Sequence, residues 1–164
     1  MKKMKITLGE TEQKIAKHIA KSRYKANRLK GNPRAIIGPQ SSYTTDLEGA
    51  GSELAAAKVL NVWPDLEINH LPDHDLTFNN KTIDVKATRY ENGKLLIAKN
   101  KLKKPCDYYM LMIGTFPNYR LAGFCKKEDV LCNEAIVDVG WGDSYGREQD
   151  QLQSLEDFLN ENKS

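Results

Sequence analysis

Two short runs on either side of an Asn-Asn pair constrain this 164-residue chain more than any other feature. Residues 71–88 read LPDHDLTFNNKTIDVKAT, in which Asp73, Asp75, Asp84 and Lys86 alternate with His74, Leu76, Ile83 and Val85. A period of two gives a strand one polar and one apolar face. Asn79-Asn80 tolerates the positive φ angles of a tight hairpin turn. With that pair as a two-residue turn, Phe78 faces Lys81, Leu76 faces Ile83, Asp75 faces Asp84 and Asp73 faces Lys86. All four charged side chains then emerge on one face. A three-residue turn would shift the register and dissolve the Asp75–Asp84 pairing.

Carboxylates directly opposite on paired strands have Cβ atoms about 5 Å apart, and like charges there are destabilising. A divalent cation removes the repulsion, and Mg²⁺ takes one or two carboxylates while keeping several waters. Lys86, one strand step beyond Asp84, is placed to orient or deprotonate a water, or to hold a phosphate oxygen. Two acids, a cation site and an adjacent lysine are the parts for hydrolysing a phosphodiester. The competing reading is a plain solvated outer face, which alternating aspartates also give. His70 and His74 are the histidines nearest the acids; His74 points to the opposite face and reads as structural.

Asp75, eight intervening residues and then Asp84-Val85-Lys86 resembles the core motif of the PD-(D/E)XK nuclease superfamily. That family carries an Asp on one strand and (D/E)-x-K on the next, often after a helix bearing a Glu. Residues 49–60, GAGSELAAAKVL, look like that helix. The resemblance implies that Asp75 and Asp84 hold Mg²⁺, with Mn²⁺ as a substitute, together with Glu53 and the Val85 carbonyl. Lys86 would position the attacking water and stabilise the developing charge. Glu48 is the alternative to Glu53. Asp73, which supplies the literal Pro72-Asp73 pair, is the alternative to Asp75 or a partner that tunes Lys86.

Elsewhere the chain reads as one domain of ordinary composition, 40% hydrophobic and 29% charged. Residues 10–30 form a helix with Ile15, Ile19 and Ala26 on or near one face. Lys14, Lys17, Lys21, Lys25 and Arg28 make a cationic stripe on the other. A loop covers 34–46, and Thr45 or Asp46 caps a second helix from Leu47 to Asn61. Strands follow at 66–71 and in the hairpin, then at 94–99, 107–114 and 119–125, with a short helix or turn at 126–132. A short strand at 135–139 precedes a glycine-rich loop at 140–146. An acidic amphipathic helix spans 149–162. Lys101 and Lys103 belong to a basic stretch able to guide a phosphate backbone, or to a solvated loop.

This order gives an α/β fold with a mixed central sheet of about four to six strands flanked by helices. The resemblance, which covers roughly 46–125, implies a restriction-endonuclease-like core, with 1–34 as a basic arm and 147–164 as an acidic helix. Residues 1–34 carry eleven Lys and Arg against Glu10 and Glu12, a local balance of +9 that the remainder offsets with −6. A basic arm on an acidic body suggests a polyanion partner, here DNA. No apolar run approaches a membrane span and no signal peptide is evident. Cys106, Cys125 and Cys132 lack metal-site spacing and read as reduced thiols, so a cytoplasmic location is expected. The expected activity is a Mg²⁺-dependent deoxyribonuclease, an endonuclease on structured or branched DNA, with a homodimer as one option. An exonuclease, an inactive DNA-binding module of the same fold, and a protein-interaction factor are the rival readings.

Overall fold

A computed structural model describes residues 3–29, 42–64, 66, 75–99, 105–132, 136–138 and 143–163. In chain order these form β1 (Lys5–Thr7), α1 (Glu10–Leu29), α2 (Ser42–Leu60), β2 (Leu76–Phe78), β3 (Lys81–Thr88), β4 (Leu95–Ala98), β5 (Tyr108–Thr115) and β6 (Asn118–Lys126). They are followed by α3 (Lys127–Val130), β7 (Ile136–Asp138), β8 (Asp143–Arg147) and α4 (Leu155–Glu161). The expected strand at 66–71 lies, apart from Leu66, outside the described residues, as do Asp73, His74, Lys101, Lys103 and the Arg28 side chain.

The fold is α/β, as the element order predicts. Its main sheet has five strands in the order β1-β6-β5-β3-β2, with β3 and β5 parallel and the other neighbours antiparallel. β5 is apolar along most of its length, as a strand covered on both faces must be. Ile83, Val85, Met110 and Met112 pack with Ala16 and Ile19 of α1 and with Ala50, Leu54 and Ala57 of α2. Tyr109, Leu111 and Ile113 face the other way, onto Leu95 and Ile97. Those two residues belong to a second sheet, ordered β4-β8-β7. Among the described residues, no helix is long and apolar enough to cross a membrane.

Three local expectations change. α2 begins at Ser42, so Thr45 and Asp46 lie inside the helix and do not cap it. Tyr43 meets Tyr24 of α1 edge-on, with ring centroids 6.4 Å apart, and this packing carries the helix into what reads as loop. Most of the glycine-rich stretch, from Asp143, is strand β8, held on both sides by β4 and β7. The helix expected over 149–162 is broken. Gln149–Gln151 make one 3₁₀ turn, then Gln153 exchanges backbone hydrogen bonds with Phe124 at 2.9 and 2.7 Å. Gly123 permits this crossing: its φ is +153°, and a Cβ there would stand 2.6 Å from the Gln153 carbonyl oxygen.

α4 is then capped by Ser154, whose hydroxyl accepts the Asp157 N–H at 3.1 Å. Phe158 is fully buried, stacked on Phe124 and tilted against Phe78 of the hairpin. The Asn79 side chain donates to the Asn162 carbonyl at 2.8 Å, which ties the hairpin turn to the end of α4.

Candidate active site

Asn79 and Asn80 both have positive φ, 45° and 65°, as a two-residue hairpin turn requires. The register is the one the turn predicts, with Phe78 opposite Lys81 and Leu76 opposite Ile83. The ladder ends there. Asp75 does not continue it opposite Asp84: its N–H donates to the Ile83 carbonyl at 2.9 Å. Its Oδ2 accepts the Val85 N–H at 2.7 Å. The carboxylate therefore satisfies a β3 donor beyond the end of the short strand β2, where an open edge leaves backbone groups to be paired.

Asp84 is 1% exposed, although it is charged. It stands beside Tyr109 in the parallel ladder, and Lys86 stands beside Leu111, so both side chains share the face that looks towards the second sheet. The Lys86 ammonium lies 2.5 Å from Asp84 Oδ2. A buried carboxylate needs such a partner. Ile83 and Val85, on the alternate face, point into the helix layer.

The helix layer supplies Glu53 and a residue that the lysine pattern does not single out, Arg23. The Arg23 guanidinium grips Glu53 at two points, Nη1 to Oε1 at 3.1 Å and Nη2 to Oε2 at 2.9 Å. The two side chains are 23% and 20% exposed. Burial alone would lower the Arg23 pKa. The Glu53 hydrogen bonds and charge, with the charges of Asp75 and Asp46, outweigh it and raise the guanidinium above its ordinary value. Asp46, 2% exposed, sits seven residues before Glu53 on the same side of α2. Arg23 was legible after all: Ala16, Ile19, Ala20 and Arg23 occupy i, i+3, i+4 and i+7 of the buried helix face, and an arginine there must find an acid.

Glu48, the alternative to Glu53, is engaged elsewhere. Both its oxygens accept the Phe116 N–H at 3.0 Å, and Oε2 accepts the Tyr119 hydroxyl at 3.0 Å. It fastens α2 to the β5–β6 turn. Lys14, Lys17, Lys21 and Lys25 are exposed along α1, with Lys14 paired to Glu10 at 3.0 Å.

The Asp75 carboxylate and the Val85 carbonyl lie at the β3 edge, while the Asp84 carboxylate is buried with Lys86 on the face towards the second sheet. In an extended strand one residue's N–H and C=O point to the same side, so that carbonyl shares the edge with the Asp75 contact. Such hard donors suit Mg²⁺, which fills its remaining positions with water. Glu53 gives both its oxygens to Arg23. Among the described residues, no three His, Cys, Asp or Glu side chains come together as a metal-holding group. The chain matches no protein-family model, no curated protein and no solved structure.

Proposed function

We propose that the chain is a Mg²⁺-dependent deoxyribonuclease with a restriction-endonuclease-like core, acting as an endonuclease on structured or branched DNA. The observation that carries this reading is the Asp75 carboxylate on the Val85 N–H, beside the Asp84–Lys86 pair. One hydrogen bond joins the two halves of the D…D-x-K pattern.

Asp75, Asp84 and the Val85 carbonyl would hold the cation, and the Lys86 ammonium is paired with Asp84. From there Lys86 orients the attacking water and offsets charge on the phosphoryl oxygens. Bound Mg²⁺ supplies polarisation of the phosphate ester and a lowered water pKa. The exposed α1 lysines supply sequence-independent attraction for the nucleic-acid backbone.

The test is a cleavage assay on linear, circular, single-stranded and branched DNA, with Mg²⁺ and with chelator. The wild type cuts at least one of these only when metal is present. Asp84→Asn and Lys86→Ala each lose about 10²-fold or more in rate while circular dichroism and DNA affinity hold. Wild-type turnover in either variant ends the site assignment. A second reading, an inactive DNA-binding module of the same fold, is favoured by the Arg23 grip on Glu53. Chelator-insensitive DNA binding with no cleavage of any substrate selects it.

A further inference from the structure

The turn that leaves β3, residues 89–93, is braced by residues from three distant parts of the chain. Thr88 of β3, Ile113 of β5, Arg120 of β6 and Lys5 of β1 are successive Cα partners, one row across the main sheet. Thr88 stands two residues beyond Lys86 and four beyond Asp84, so strand alternation gives all three one face. From this row Arg120, 8% exposed, donates to the Glu91 carbonyl at 2.8 Å and meets the Glu91 carboxylate at 3.1 Å. Lys3 pairs with the same carboxylate at 2.8 Å. Gln149 donates to the carbonyls of Glu91 and Gly93 at 2.8 and 2.9 Å. Thr88 Oγ1 accepts the Tyr90 N–H at 3.3 Å, and the Gly93 N–H closes on the Tyr90 carbonyl at 2.9 Å. A Cβ at Gly93 would stand 2.3 Å from Thr88 Cγ2, so this wrap needs glycine. What the brace presents is the Tyr90 side chain, 64% exposed, with Arg89 exposed beside it.

We propose that Tyr90 is a stacking post for an unpaired base of the DNA, with Arg89 on a neighbouring phosphate. This rests on the nuclease reading above and names its substrate, a strand that leaves a duplex. An aromatic ring stacks on a base only where a base face is free, which the interior of a duplex does not offer. Every base has such a face, so the ring selects structure and not sequence. A backbone already fixed spares the ordering cost of docking. Tyr90 is four residues past Lys86, at most about 14 Å of chain, or roughly four nucleotide steps along one strand. One substrate can therefore reach both. The local charge favours a polyanion, because Lys5 shares the row and Glu91 is already paired with Lys3 and Arg120.

Fluorescence anisotropy in chelator, which reads binding apart from cleavage, compares a duplex bearing a single-stranded flap with the fully paired duplex. Wild type prefers the flap. Tyr90→Ala weakens flap binding by about five-fold or more and leaves binding to the paired duplex as in wild type. Tyr90→Phe keeps the preference, because the ring stacks and the hydroxyl does not. Arg89→Gln makes the slope of log affinity against log salt on the flap shallower by about 0.7; an unchanged slope strikes the phosphate contact. No preference in the wild type, equal losses on both substrates, or a Tyr90→Phe variant that behaves like Tyr90→Ala overturns the stacking post. A wild type that binds neither DNA at low salt fells the nuclease reading, and this inference with it.

Discussion

Glu48 and Glu53 stand five residues apart on α2, a rotation of about 140° on a helix, and they do different work. Glu48 ties down the β5–β6 turn, and burial together with its charge pushes the Tyr119 phenol up. Glu53 is turned to Arg23. The sequence names both acids and leaves the choice open, because deciding it requires knowing which side of α2 meets the sheet. Glu48→Ala leaves the Phe116 N–H without its acceptor and is expected to cost about 1–3 kcal/mol in urea or thermal denaturation. DNA cleavage per folded molecule stays at the wild-type level. Unchanged stability with lost cleavage would exchange the roles of the two glutamates. Arg23 shows the reverse case, a site residue hidden among lysines until the helix period separates inward from outward positions.

Elements whose geometry is decided locally were legible, and those decided by contact were not. The hairpin is of the first kind: the Asn79-Asn80 pair fixes the turn, and the turn fixes the register down to Leu76 opposite Ile83. Asn80→Ala places a Cβ-bearing, non-Asn residue at a φ of 65° and is expected to cost about 1–2 kcal/mol. Asn80→Gly is expected to be neutral or mildly stabilising. Thermal denaturation of both variants checks this, and equal melting temperatures would mean that the turn does not set the hairpin. The early start of α2 and the break before α4 are of the second kind. Tyr43 on Tyr24, and Gln153 on Phe124, are long-range contacts that no local propensity announces. The last step of the hairpin failed for a related reason: with β2 ended at Leu76, the Val85 N–H needs an acceptor, and the Asp75 side chain fills that need.

On the scale of the whole molecule, a basic N-terminal segment, residues 1–34, stands against an acidic remainder, +9 against −6. Lys17, Lys21 and Lys25, exposed on the stripe, are ones a DNA backbone would meet. Replacing the three with Gln keeps helix propensity. If each contacts one phosphate, the slope of log affinity against log salt becomes shallower by ~2.7 on duplex DNA. Cleavage at saturating enzyme survives, since Asp75, Asp84 and Lys86 are untouched. A salt titration of wild type and variant on two unrelated sequences measures it, and an unchanged slope would make the stripe a solvated face only. The same helix bears Arg23 on its far side, half a turn from the lysines. Each residue gained within α1 turns everything after it by about 100°. A single codon inserted between Lys14 and Arg23 would therefore swing the guanidinium off Glu53 and throw the later lysines out of line in one event. Along this helix letters can be exchanged, lysine for arginine or glutamine, while its length up to Arg23 is fixed by having to serve two faces at once.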